Sequence, residues 1–292
     1  MNETDALLRL KAGRVIYAIR KFHNYGQVEL AKEFNVSQSN VSKIESGLLA
    51  PDLRLWMDLT RAFKVRDPYC FYYGTAEIEN IPQLSKVGKS FYKSVGFKIP
   101  KNYISEPLVT SRKIRPFIDV FETTYAKAWN EFLSETNIPA GIFDILNFPI
   151  PSLMVKDLAD FIQKNASKLD FTKDLNLMSQ TNHGLLFEDY ASASTPFNLL
   201  KYFVHKQKDY GIDVEYSIAE EKEHESAINV HISPQLLNIF SKKDLATNKF
   251  FNFSAQYPML LMKSKESNAK SPGPGKVRMQ ETSDSSWKMS YV

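Results

Sequence analysis

The stretch Gln27-Val-Glu-Leu-Ala-Lys-Glu-Phe-Asn-Val-Ser-Gln-Ser-Asn-Val-Ser-Lys-Ile-Glu-Ser-Gly47 decides how this chain is read. Leu30, Ala31 and Phe34 share one face of a first short helix, and Val41 and Ile44 share one face of a second, at three- and four-residue spacings. Ala31 is small where the two helices would cross closely. Asn35 stands where the first helix must stop and the backbone turns left-handed, a conformation Asn tolerates better than most residues. Val36 plugs the space between the helices. Ser37 is a good N-cap for the second helix, although Asn40 and not Glu or Gln follows three residues on, so no full capping box forms. Gly47 closes the second helix, and Pro51-Asp52 restarts the chain into the next.

Two short helices, a tight turn and a polar outward face on the second helix make a helix-turn-helix layout, the arrangement that reads the DNA major groove. Gln38, Ser39, Ser42 and Lys43 face outward, with Asn40 near the helix start. Gln and Asn can pair bidentately with adenine, and Lys suits guanine acceptors or a phosphate. Gln27, at the start of the first helix, is placed to offer its amide and the helix N-terminus to a phosphate. The expected DNA-contact set is therefore Gln27, Ser37, Gln38, Ser39, Asn40, Ser42 and Lys43. On an isolated pair of helices, plain solvated polar positions would be an equally good reading.

The surrounding pattern shifts that balance. Ala6 to Phe22 is a long amphipathic run, Leu53 to Phe63 supplies a fourth helix through Leu55, Trp56, Leu59 and Phe63, and Tyr69 to Tyr73 continues or closes the bundle. Residues 5–67, a little over a fifth of the chain, resemble the Cro-repressor type of helix-turn-helix domain, also called the XRE family. The resemblance rests on Gln27-Val-Glu-Leu-Ala, Val36-Ser-Gln-Ser, Ser42-Lys-Ile-Glu-Ser-Gly and Pro51 with the apolar run after it. It implies an all-α, five-helix, lambda-repressor-like DNA-binding domain. It further implies contacts to double-stranded DNA through Gln27, Gln38, Ser39, Asn40 and Lys43, and a homodimer on a two-fold-related site. The loop Leu48-Leu49-Ala50 departs from the pattern, since relatives commonly carry basic or polar residues there. A phosphate contact is then missing, and Leu48 and Leu49 are available to pack against a partner subunit or the second domain.

The chain has 292 residues, 43% of them hydrophobic, enough for two domains with real cores. There is no apolar run of membrane-spanning length and no secretory signal, so the expectation is a cytoplasmic protein without a membrane partner. One cysteine, Cys70, excludes an internal disulfide framework and a cysteine-based zinc site. It reads as a buried small hydrophobe among aromatics, with a redox-sensing thiol as the alternative. The net charge is +4, and residues 1–67 carry eleven basic and eight acidic side chains, so the head is only mildly positive.

Basic charge concentrates between Lys86 and Arg115, where eight basic residues face one acid, Glu106, with Phe91, Tyr92, Phe97 and Tyr103 interleaved. Pro and Gly punctuate the stretch, so 78–115 reads as a basic connector after a head of residues 1–77. Lys86, Lys89 and Lys93 are candidate accessory phosphate contacts, with a plain solvated connector as the competing reading.

Residues 116–292 read as an α+β domain for sensing or dimerisation, helices first and antiparallel hairpins after. Helices are expected at Phe117–Leu133, Ile142–Phe148, Ser152–Asn165 and Phe197–Lys208. Strand alternation appears at Val214–Ile218 and Ala227–Ile232, joined by a charged turn. Pro258–Met262, Lys276–Thr282 and Trp287–Val292 suggest further strands, with a loop over Ser267–Gly275, and the apolar final strand ties the tail into a sheet. Ile150-Pro-Ser-Leu, His183-Gly184-Leu185 and Ala191 to Tyr202, followed by a hairpin, are similar in order to the effector-binding domains of some AraC-type regulators. The same layout is loosely similar to heme-nitric-oxide-binding modules, but their YxSxR signature is absent, which argues against heme. His183, His205 and His231 lack metal-ligand spacing and read as surface or satisfied core histidines, so no cofactor or metal is expected.

Enzymatic readings lack motifs: there is no GxGxxG, no GxxxxGK[ST] and no GxSxG. Ala140-Gly141 could mark a self-cleaving repressor, but no convincing serine motif follows it. The expectation is a sequence-specific transcriptional regulator, not an enzyme, whose back domain senses a small ligand or a protein partner or dimerises. The alternative is an antitoxin-like protein that holds a partner through that domain and represses its own operon.

Overall fold

The computed structural model describes residues 3–171, 173–221, 226–241, 247–268, 277–283 and 286–291. The chain opens with five helices: α1 (Glu3–Phe22), α2 (Gln27–Glu33), α3 (Gln38–Glu45), α4 (Leu53–Ala62) and the short α5 (Cys70–Tyr73). Val15, Ile16, Ile19, Leu30, Val41, Ile44, Trp56, Leu59 and Phe63 form their common core. Asn35 has φ 52 and Gly47 φ 73, the left-handed stops expected of them. Gly13 is required by the crossing of α1 over α3, since a Cβ there would sit 2.2 Å from the Ile44 carbonyl oxygen. Cys70 is fully buried, and burial pushes its thiol well above the usual range, which leaves little thiolate for redox chemistry.

The stretch 78–115 differs from the connector expected of it. It folds as a 3-10 turn at Leu84–Lys86, a short α6 (Phe91–Ser94), a second 3-10 turn at Lys101–Tyr103 and strand β1 (Pro107–Thr110), then enters α7 (Ser111–Thr123). Its aromatic and aliphatic residues, Ile78, Leu84, Tyr92, Phe97 and Tyr103 among them, belong to the large core. The Pro and Gly residues end short pieces of structure here and do not loosen the chain. Lys86, Lys89, Lys93, Lys98 and Lys101 are exposed, whereas Arg112, Lys113 and Arg115 are buried on α7. Each buried cation has a carboxylate: Lys113 Nζ lies 2.6 Å from Asp213, Arg112 2.9 Å from Glu77 and Arg115 2.8 Å from Asp144.

Beyond it, the helix expected over Phe117–Leu133 is two helices, α7 and α8 (Ala126–Thr136), broken at Thr124-Tyr125. Ile142–Phe148 is not a helix. A 3-10 turn at Ala140–Asp144 leads into extended backbone, where Ile145 bridges Ala76, and then into β2 (Pro149–Pro151), which pairs antiparallel with β1. The helix expected over Ser152–Asn165 is α9, with those bounds, and α10 (Gln180–His183), α11 (Leu186–Ser192) and α12 (Pro196–Lys206) follow. β3 (Val214–Glu221) and β4 (Ser226–Ile232) form the expected hairpin. After α13 (Pro234–Leu237), Pro258–Met262 proves to lie inside a long helix, α14 (Lys249–Asn268), and not in a strand. Phe250, Phe253, Tyr257 and Leu261 are buried along one side of it at helical spacing, and a short apolar run alone does not distinguish that from a buried strand. Residues 269–276, most of the loop expected over 267–275, lie outside the described residues. β5 (Val277–Ser283) and β6 (Ser286–Tyr291) complete an antiparallel sheet in the order β3-β4-β6-β5, so the last strand is an inner strand.

His183 sits at the centre of the body. Its Nδ1 lies 2.6 Å from the Tyr210 hydroxyl, its Nε2 meets the Leu177 carbonyl, and its own carbonyl accepts from Arg112. Burial, reinforced by the Arg112 charge, pushes its pKa down to about 3. The unfolded chain takes up this proton near pH ~6.5, whereas the folded chain resists until far lower, so the contribution is complete above ~6.5 and is lost as pH falls through that window. We expect unfolding free energy from denaturant titrations to drop between pH 7 and 5, and the drop to shrink by about one proton's worth of slope in His183→Phe. An unchanged slope in that variant would assign the acid sensitivity elsewhere.

Candidate nucleic-acid interface

The reader unit is built from α2, the turn at 34–37 and α3. Ser37 Oγ accepts from the Asn40 N–H at 3.0 Å, capping α3 as its sequence implies. At the other end Gly47 N–H reaches the Ile44 carbonyl at 2.9 Å and Leu48 N–H the Lys43 carbonyl at 2.8 Å, which closes the helix. Val41 and Ile44 are buried toward α1 and α2. That leaves Ser37, Gln38, Ser39, Asn40, Ser42 and Lys43 exposed together, while Gln27 is half-buried beside them.

A chain of side-chain contacts runs from the core of the head to this face. Arg20, 4% exposed, holds Glu45 through Nε at 2.5 Å and a second nitrogen at 2.8 Å, and donates to the Tyr25 carbonyl at 2.7 Å. Gln27 Nε2 donates to Glu45 at 2.8 Å, and Gln38 Nε2 donates to Gln27 Oε1 at 2.8 Å. The Gln27 amide is therefore engaged within the head at both ends, and its first role is to orient Gln38. Gln38 is exposed and this bond uses one of its amide N–H groups, which leaves a second N–H and Oε1, the donor-plus-acceptor pair that an adenine edge in the major groove requires.

Arg20 and Glu45 escaped the sequence reading. Their only signal was a charged residue at an inward position of each helix, Arg20 next to Ile19 and Glu45 next to Ile44. Leu48 is 73% exposed and Leu49 38% exposed. The three histidines do not converge: His183 is buried, and His205 and His231 are exposed. Among the described residues no group of three or more His, Cys, Asp or Glu could hold a metal ion, and no helix is long and apolar enough to cross a membrane.

Residues 16–69 match the family model described as helix-turn-helix. That segment is accordingly a helix-turn-helix DNA-binding domain of the XRE type, and at this coarse level the chain is a DNA-binding transcription regulator. The match covers the head alone. No curated protein and no solved structure matches the chain.

Because Arg20 and Glu45 are both nearly buried, removing one strands the other without a counter-charge. Glu45→Ala is expected to lower head stability by about 3–5 kcal/mol in denaturant unfolding. Gln38→Ala, at the exposed end of the same chain, should leave stability within roughly 0.5 kcal/mol of wild type.

Proposed function

We propose that the protein is a sequence-specific operator-binding regulator that acts as a homodimer on double-stranded DNA, with residues 116–292 sensing a small effector or a protein partner. The observation that carries the DNA part is the continuous chain Arg20–Glu45–Gln27–Gln38, which holds a donor-acceptor pair rigidly at the exposed face of α3. Gln38, flanked by Ser39, Asn40, Ser42 and Lys43, reads base edges in this scheme. Ser37 and Gln27 steady the approach to the backbone, and exposed Lys86, Lys89 and Lys93 add sequence-independent phosphate contacts.

Support for a sensing role comes from the body. A cleft of about 540 Å³ opens between the Leu84–Lys86 turn, the start of β3 and the end of β4, lined by Gln83, Lys208, Glu215, His231 and Gln235. That size and its mixed polar lining suit a small molecule. The body also grips the head through the ion pairs of Arg14 with Glu122 and Asp144, so occupancy of the body has a mechanical route to the reader.

Selection of bound sequences from a random duplex library tests the reading directly, and the expected result is a two-fold-symmetric site. Gln38→Ala should relax base preference at one position in each half-site by about 1–3 kcal/mol. Lys43→Ala should weaken binding through base or phosphate contacts, with a salt slope reduced by about one if the contact is to phosphate. Unchanged affinity and preference in both variants would remove α3 from the interface.

A further inference from the structure

The body touches the head where the reader unit begins. Gly96 N–H donates to the Phe22 carbonyl at 3.0 Å, and a Cβ on Gly96 would lie 2.4 Å from Asn24 Cα. The Phe22 ring packs on the body as well, its centroid 6.3 Å from that of Phe91 and 6.4 Å from that of Phe148. Three residues beyond Asn24, at Gln27, α2 starts. Lys93 and Lys98, both exposed, stand three residues before Gly96 and two after it. Their Cα atoms therefore lie within about 11 and 8 Å of the contact with the α1–α2 turn.

The head has little of its own to offer a phosphate at this point. Residues 23–31 contain no Lys or Arg. The Gly26 N–H, which would otherwise be open to an anion, is taken by Glu29 at 2.5 Å. Gln27 spends one amide N–H on Glu45 and its Oε1 on Gln38. A phosphate passing the start of α2 meets a carboxylate there, unless a cation is supplied from outside the head. The stretch Gln83–Ser105 can supply it, since it carries five exposed lysines and no Asp or Glu. None of those lysines enters an ion pair among the described residues, so the stretch presents a field of one sign.

The other end of α2 carries the opposite field. A cleft of about 500 Å³ beside the 33–36 turn is lined by Glu33, Asp52 and Asp58, and the one cation on its wall, Arg54, lies 3.8 Å from Asp58. A duplex settling on α3 is therefore drawn toward the start of α2 and away from the start of α4.

We propose that the DNA-binding surface crosses the seam between head and body: the phosphate strand that passes the start of α2 runs on over Lys93 and Lys98. The proposal rests on the operator reading above and adds to it Lys98, a direction for the duplex and a body that is itself part of the interface. A displacement at the seam then shifts two phosphate ligands relative to α3, and so changes affinity without altering a base contact.

The test is titration of duplex DNA over a salt series with the full chain and with Lys93→Ala/Lys98→Ala. On a half-site duplex, two phosphate contacts fewer should lower the log–log salt slope by about 1.8, so that the wild type loses about tenfold more affinity than the variant between roughly 50 and 200 mM salt. The base preference selected from a random library and the denaturant midpoint should match the wild type, because both side chains are in water and neither reaches a base. Phosphate-ethylation interference should show contacts outside the bases read by α3 in the wild type and lose them in the variant. The control Lys127→Ala/Lys164→Ala removes the same charge from exposed positions on α8 and α9 and should keep the wild-type slope. An unchanged slope in the Lys93/Lys98 variant, or an equal fall in the control, would overturn the proposal. The two readings fail separately. DNA binding without base preference but with a slope that depends on Lys93 and Lys98 would keep this surface and remove the operator reading, whereas a selected operator bound by the variant with the wild-type slope would do the reverse.

Discussion

Helix α1 has to bury two faces at once, and the placement of everything else follows from that. Val15, Ile16 and Ile19 belong to the core of the head, while Ala18 belongs to the large core of the body. Between them, Arg14 reaches out of α1 to Glu122 at 2.7 Å and to Asp144 at 2.7 Å, and Asp144 is shared with Arg115. Asp144 and Arg115 are the buried members of this network, while Arg14 and Glu122 are partly exposed. A second clasp closes at the far end of the helix, where Gly96 lies so close to the backbone that a Cβ would stand 2.1 Å from the Lys21 oxygen. α1 is therefore held on the body at its middle and at its C-terminal end, and the reader helix, crossing α1 at Gly13, is held with it.

A head fixed this way cannot act as a flag on a flexible tether. Ala76 completes the clasp through backbone bonds to Asp144 and Leu146 at 2.8 and 2.7 Å, and across the same seam the Thr75 hydroxyl donates to the Thr181 carbonyl while the Thr181 hydroxyl donates to the Tyr73 carbonyl. Glu77 bridges Arg66 on the head side and Arg112 on the body side, and Arg112 also holds the carbonyl of His183. One guanidinium thus joins the seam to the most deeply buried histidine of the body. Motion at the His183 turn has to move Arg112 or break its bonds, and Arg112 in turn holds Glu77. Any signal from body to reader then travels as a displacement of packed, paired groups.

How much of this was legible follows from the range over which each signal acts. The turn of the reader was readable because its constraints are local: Asn35 must go left-handed, Ser37 must cap, and Gly47 must stop the helix, each decided within a few residues. Ser152–Asn165 and the Val214/Ala227 hairpin were readable for the same reason. The connector was misread because Pro, Gly and Lys dominate its surface while its inward aromatics sit at no regular spacing, so only the tertiary core reveals that Tyr92, Phe97 and Tyr103 are buried. Arg112, Lys113 and Arg115 illustrate the deeper limit. In sequence they are three more cations in a basic run, and their partners Glu77, Asp213 and Asp144 lie 29 to 100 residues away. Pro258–Met262 failed differently, as a short apolar run whose period cannot be told without its neighbours.

The charge distribution then constrains how such a head can bind DNA at all. Of the eleven basic residues among 1–67, Arg20 is committed to Glu45 and Arg14 to Glu122 and Asp144, so neither is available to phosphate. The loop that follows α3 offers leucines and Asp52 in place of cations. Non-specific affinity scales with the number of phosphates neutralised, and a head with few free cations near its reader gains little from it. Two remedies exist on physical grounds: phosphate contacts from elsewhere on the same rigid body, for which Lys86, Lys89 and Lys93 are exposed, and two heads on one operator, where the second binds at high effective concentration. Lysines on a body packed against the head through Arg14 and Ala76 do not diffuse around it, so any phosphate they meet is fixed by the same geometry that fixes α3.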